Sequence, residues 1–280
     1  MGSTSTRFWT YPFACRFYDA AYRDDEDALR ELHAQFPTEV RAAVEYDGHG
    51  LILRMCDLGL VRAVRCLWDL GCLDVSVLGH TPFHYACEAN HLRLAQWLWI
   101  LQDPGPAVCA VEWSTACKNG HLVLAQWLVA AARGVVKETD FYQRTLDMTC
   151  LRGHLHVVRW LHRYALPLAL VASINEESAL RFGCLGNQLA VVRYWGQAGA
   201  NVFHKNAMCF RHVLHVKEPS VSLLEWLADQ ALASEERERH LEIPDVCTVL
   251  HAVQAFRRRW STMRQAWVTA VLRAKTACAC

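Results

Sequence analysis

A chain of 280 residues with 29 Lys and Arg, 28 Asp and Glu and a formal charge of +1 has no whole-molecule field to draw it to nucleic acid or an anionic membrane, so any electrostatic partner must be met locally. Its 53% hydrophobic content is ample for a continuous core. No run of about 18 apolar residues marks a membrane span, and Met1 to Tyr18 lacks the basic start and apolar stretch of a secretory signal, which predicts a soluble intracellular protein, cytoplasmic or nuclear.

Residues 1–12 read as a tail, and the rest of the chain is ordered by a ladder of cysteines. Cys56, Cys87, Cys117, Cys150 and Cys184 recur at spacings of 31, 30, 33 and 34. Each opens the same phrase: MCDLGLVRAVRCL from Met55, ACEANHLRLAQWL from Ala86, ACKNGHLVLAQWL from Ala116, TCLRGHLHVVRWL from Thr149 and GCLGNQLAVVRYW from Gly183. A worn copy, HVKEPSVSLLEWL from His215, has Val216 in the cysteine's place.

With the cysteine as position 0, position +5 holds Val61, Leu92, Leu122, Leu155, Leu189 and Val221, and position +11 holds Leu67, Leu98, Leu128, Leu161, Trp195 and Leu227. Positions +7 and +8 hold Ala63/Val64, Leu94/Ala95, Leu124/Ala125, Val157/Val158, Val191/Val192 and Leu223/Leu224, which completes one wide apolar face of a short helix. Four residues before the cysteine stand Ile52, Phe83, Trp113, Leu146 and Leu180, the inward side of an earlier helix. Between the two helices lies Gly59, Asn90, Gly120, Gly153 or Asn187, residue types that tolerate the left-handed conformation that ends a helix.

The same register finds a first copy near the N-terminus, with Ala21 at position 0, Ala28 and Leu29 at +7 and +8, and Leu32 at +11. Asp24, Asp25, Glu26 and Asp27 fall at the start of its second helix, where they favour the positive end of the helix dipole and solubilise the end of the array. The chain thus divides into a degenerate capping repeat at 13–47, repeats at 48–78, 79–108, 109–141, 142–175 and 176–207, a degenerate repeat with a charged loop at 208–245, and a helical cap at 246–280. In that cap Phe256, Trp260, Met263, Trp267 and Val271 make an amphipathic stripe, while Arg257, Arg258, Arg259, Arg264, Arg273 and Lys275 give six positive charges and no acid. Two readings are open: the stripe covers the last repeat, or the basic helix also contacts a calmodulin-like protein, an anionic membrane or nucleic acid.

Thirteen cysteines invite disulfide or metal chemistry, and the register argues against both. Neighbouring helix axes lie about 8–10 Å apart, whereas a disulfide needs Cα atoms within about 7 Å, so equivalent cysteines are poorly placed to bridge. They read as small buried apolar residues, reduced as in a cytosolic or nuclear compartment. Cys209, His212 and His215 have a spacing that makes zinc imaginable, but the register puts both histidines on core-side positions of a worn repeat. His91, His121 and His154 form one repeat column rather than a catalytic constellation, and Gly183 and Gly186 lack the strand and Lys-Ser/Thr of a phosphate loop. No catalytic residue, metal site or cofactor is expected.

A helix, a turn, a helix and a loop repeating about every 33 residues is the ankyrin period. The chain resembles an ankyrin-repeat protein, most sharply at Thr81-Pro82-Phe83-His84-Tyr85-Ala86, then at Gly-His-Leu 120–122 and 153–155 with the Trp-Leu endings. The degenerate style is similar to copies expanded in large DNA viruses and protists. The resemblance implies an all-α helix-turn-helix repeat solenoid with a C-terminal helical cap, monomeric, serving as a non-catalytic protein-binding scaffold without a small-molecule substrate. It also implies a partner surface on the exposed side of the first helices and the inter-repeat loops. Arg54, Tyr85, Thr115, Met148 and Phe182, two residues before each cysteine, are expected to face it, bordered by His80, Glu112 and Arg144 as loop residues; the alternative reading is that some of the five pack against neighbouring repeats.

Overall fold

The computed structural model describes residues 11–132, 139–165 and 175–202, with residues 209, 212, 213, 220, 222–227, 229, 230 and 258. Among these, all regular structure is helical: α1 (Tyr11–Tyr22), α2 (Glu26–Gln35), α3 (Pro37–Glu45), a 3-10 turn (Tyr46–His49), α4 (Gly50–Leu58), α5 (Val61–Asp69), α6 (Thr81–Glu88), α7 (Leu92–Gln102), α8 (Pro106–Asn119), α9 (Leu122–Ala131), α10 (Thr139–Arg152), α11 (Leu155–Ala165), α12 (Glu176–Leu185) and α13 (Leu189–Ala198). The chain divides into two compact units, residues 1–141 and 142–280.

The periodic columns become the core. In all five cysteine-bearing repeats the side chains at −4, 0, +7, +8 and +11 are fully buried. The +5 residue is the first of each second helix and stays half-buried, because a helix's opening residue lies at the edge of the packed face. The thiols behave as apolar filler. Burial pushes the Cys56 thiol up to about 12, and it raises Cys87, Cys117 and Cys150 further, so none carries appreciable thiolate at neutral pH.

The turn column takes the predicted conformation, with φ of 72° at Gly59, 65° at Asn90, 82° at Gly120, 83° at Gly153 and 59° at Asn187. Glycine has a second use at this position. A Cβ on Gly59 would stand 2.3 Å from Nδ1 of His91, and one on Gly153 would stand 2.2 Å from Oε1 of Gln188. The bare Cα therefore receives the +4 side chain of the following repeat. In two copies that side chain ties back: His91 Nε2 lies 2.8 Å from the Asp57 carbonyl and His121 Nε2 3.0 Å from the Glu88 carbonyl. Carbonyls only accept, so both ring nitrogens are donors.

A second cross-repeat contact joins position +12 of one repeat to +10 of the next. Trp68 meets Trp97 edge-on at 5.9 Å and Trp99 meets Trp127 at 5.7 Å in the first unit. In the second unit His162 meets Tyr194 at 5.8 Å, with the tyrosine hydroxyl 2.7 Å from Nδ1. Gly196 then sits so close to Trp226 that a Cβ would stand 2.5 Å from the indole. The diagonal is invisible within one repeat, because its partners belong to different columns.

The N-terminal copy keeps its register, with Ala21, Leu29 and Leu32 buried, but it carries an additional helix. Phe36 breaks α2 at φ −138° and Pro37 starts α3, whose Val40, Ala43 and Val44 are buried. The acidic run is also less solvated than expected. Asp25 caps its own helix by accepting from the Ala28 amide at 3.1 Å, as the dipole argument anticipates. Asp24, at φ 55°, reaches out of its repeat and accepts from the Ala63 amide at 2.7 Å, capping α5, whose own N-cap residue Leu60 makes no side-chain bond. α8 starts before residue 109, and α10 runs through 141/142.

Gly59→Ala should lower stability by about 2 kcal/mol or more in urea unfolding, since left-handed strain of about 1–2 kcal/mol adds to the clash with His91. Gly79→Ala, at φ 54° with open space around the Cβ, should cost only the strain. A double-mutant cycle of Trp99→Ala and Trp127→Ala should return a coupling of about 0.5–1.5 kcal/mol.

Candidate functional site

The exposed side of a first helix is what remains once −4 and 0 are buried, and position −2 lies there. Arg54 on α4 is exposed, whereas Tyr85 on α6, Thr115 on α8, Met148 on α10 and Phe182 on α12 are half-buried. Half-burial restricts their rotamers while leaving one edge open. In the first unit the column presents a cation, a phenol and a small hydroxyl in succession. In the second, Arg181 lies over the Phe182 ring at 5.5 Å, so the aromatic is braced by its own neighbour.

The three bordering residues separate. His80 is exposed and directly precedes α6, in a connection as expected. Arg144 is exposed but lies inside α10, and Glu112 is 3% exposed inside α8. Both depart from their expected loop placement for one reason: α8 and α10 each begin earlier than the register indicates. Pro106, favoured in a first helical turn, opens α8. Of the basic cap, Arg258 is exposed, while Arg257, Arg259 and Arg264 lie outside the described residues.

Glu112 has a different task from the one its position suggested. His84, from the Thr-Pro-Phe-His motif, places Nδ1 2.9 Å from Glu112 Oε1, joining neighbouring first helices. Glu112 Oε2 is buried with no hydrogen-bond partner. Desolvation raises the Glu112 carboxyl above the usual carboxylate range, and the His84 hydrogen bond offsets this only in part.

The −3 position that His84 holds does similar work in the second unit. Asp147 is 6% exposed, accepts from Ser178 Oγ at 2.9 Å and from Gln143 Nε2 at 2.7 Å, and is likewise raised by burial. Gln143 also accepts from the Asn175 amide at 2.9 Å, which holds the entry to α12, where Asn175 caps the Ser178 amide at 2.8 Å. Sequence reasoning missed this polar seam. The available signal was Gln143 and Asp147 themselves, four residues apart and therefore neighbours on one helix face.

Two of the three residues Cys209, His212 and His215 are described. Cys209 is buried and His212 half-buried, His215 lies outside the described residues, and among the described residues no three His, Cys, Asp or Glu side chains are grouped to hold a metal ion. Cys209 instead shares a hydrogen bond with Cys184, which raises Cys184 and lowers Cys209. Among the described residues no helix is long and apolar enough to cross a membrane.

Because the folded-state pKa of Glu112 is raised, its contribution to stability is greatest at acid pH and is lost as pH rises through that pKa. Glu112→Gln should therefore flatten this part of the stability–pH curve and raise the urea midpoint at neutral pH relative to acid, measured against the parent chain.

The family model described as Ankyrin repeat matches residues 78–108. Among solved structures, the ankyrin repeat domain of human ASB11 is similar at TM-score 0.52 and 20% identity, over 75% of this chain and 96% of that one. No curated protein matches the chain. Neither match bears on the likeness to viral and protist copies. The chain carries an ankyrin repeat at residues 78–108 and has the all-α ankyrin-repeat fold.

Proposed function

We propose that the chain is a non-catalytic scaffold that binds a protein partner through the exposed side of its first helices and the adjoining connections. The observation that carries this reading is a contrast within each repeat. Positions −4, 0, +7, +8 and +11 hold apolar side chains throughout, whereas the exposed to half-buried −2 column changes from repeat to repeat through Arg54, Tyr85, Thr115, Met148 and Phe182. A fixed core that carries changing surface residues is suited to recognition, and Tyr and Arg are favoured anchors at interfaces.

The buried, protonated cysteines support a reducing compartment and offer no activated nucleophile among positions 56, 87, 117 and 150. The ankyrin repeat at 78–108 supports a protein rather than a small-molecule partner. His80 and Arg144 border the face, while Glu112 serves it from beneath by holding His84.

The test is quantitative capture from the native cell, comparing the parent chain with an Arg54→Ala, Tyr85→Ala, Met148→Ala, Phe182→Ala variant and with a chain lacking 246–280. The quadruple variant should lose its partner by about tenfold or more, in line with the loss of two anchors, while its helical circular dichroism is retained. Capture that survives the quadruple change and is lost on deleting 246–280 would transfer the function to the basic helix around Arg257, Arg258, Arg259 and Arg264.

A further inference from the structure

Two second helices of the second unit, α11 and α13, present a surface of one sign. α11 reads LHVVRWLHRYA and α13 reads LAVVRYWGQA, and neither contains Asp or Glu. Val157, Val158 and Leu161 of α11 and Val191, Val192 and Trp195 of α13 are buried, so the opposite side of each helix faces outward. His156, Arg159 and Arg163 step by three and four residues along that outward side of α11, and all are exposed. Arg193, also exposed, occupies in α13 the +9 position that Arg159 holds in α11. Helices packed at about 8–10 Å put these equivalent guanidinium groups side by side.

The cluster is organised around one ring. Arg159 stands 5.8 Å from the centroid of Tyr194, whose hydroxyl lies 2.7 Å from Nδ1 of His162. Among the described residues Arg159, Arg163 and Arg193 form no ion pair. Of the nearby acids, Glu176 lies 4.0 Å from His162 Nε2, and the exposed Glu225, at +9 one repeat further on, bounds the basic face beyond Arg193 without forming an ion pair with it.

Three kinds of anion could meet such a face, and two fit poorly. Single-stranded nucleic acid needs open aromatic faces for base stacking, and here Arg159 already covers Tyr194. A membrane surface needs apolar side chains to insert, and the exposed large hydrophobic residues of the described chain include none from α11 or α13. Carboxylates match the planar guanidinium fork without needing either.

We propose that the outward face formed by His156, Arg159, Arg163 and Arg193 is a second docking surface, which binds an Asp/Glu-rich segment of a partner protein. It is separate from the −2 column and does not depend on that column's role.

The probe is a fluorescein-labelled dodecapeptide of alternating Asp and Glu, titrated with the full chain and followed by anisotropy at low and raised salt. Arg159→Glu with Arg193→Glu should weaken binding at least tenfold and reduce its salt dependence. Arg159→Gln with Arg193→Gln, a milder change that guards against misfolding, should weaken it at least threefold with circular dichroism unchanged. Arg54→Ala with Tyr85→Ala, and separately Arg257→Glu, Arg258→Glu and Arg259→Glu together, should leave the affinity within twofold. The proposal is overturned if the neutralised variant binds like the parent, if the loss comes with the 257–259 changes instead, or if a dodecamer of deoxythymidine binds more tightly than the peptide and is lost on the same substitutions.

Discussion

The packing of one repeat against the next rests on the left-handed turn between the two helices of a repeat. The residue at +3 turns left-handed to start the second helix, and in two copies it also leaves room for the +4 side chain of the following repeat. Gly59 and Gly153 satisfy both demands, and His91 and Gln188 occupy the space they leave. Gly186, at +2 and right-handed, marks a different close approach, since a Cβ there would stand 1.9 Å from the Leu151 carbonyl oxygen of the preceding repeat. With the backbones held this near, a cysteine or a pair of small aliphatics fills the interior, and larger side chains at those positions would force the helices apart.

The hydrogen bonds that hold repeats together join each repeat to its neighbour, most of them across about one period. His91 to Asp57 covers 34 residues, His121 to Glu88 covers 33, His84 to Glu112 covers 28 and Gln143 to Asn175 covers 32. Stability in such an array is close to a sum of repeat and neighbour terms, so a local defect weakens its two flanking contacts rather than the whole molecule. Glu112 and Asp147 are concessions within this scheme: each costs desolvation, and each aligns two first helices through a directional bond that apolar packing does not supply.

The parts of this fold that repeat with the sequence period are legible in the sequence. The cysteine ladder, the apolar columns and the Gly/Asn turn all lie within one repeat, so comparison of copies reveals them. Contacts that join unlike columns are not legible this way. His84 at −3 finds Glu112 at −5, Trp99 at +12 finds Trp127 at +10, and Asp24 in an acidic stretch finds an amide of the following repeat. The start of α8 is set by Pro106 rather than by the period, which is why Glu112 reads as a loop residue and is found in a helix. The basic helical cap stands apart, because Arg258 is its one described residue.

The +12/+10 diagonal has a bearing on how such a chain can lengthen or shorten. Removing residues 79–108 in frame would bring Trp68 to the place of Trp99, facing Trp127, and the joint would keep its tryptophan pair. Removing 176–207 would instead bring His162 against Trp226, where Gly196 now leaves room for the indole. The first joint is interchangeable and the second is keyed to its neighbour, so copy-number change in this chain is tolerated unevenly along its length.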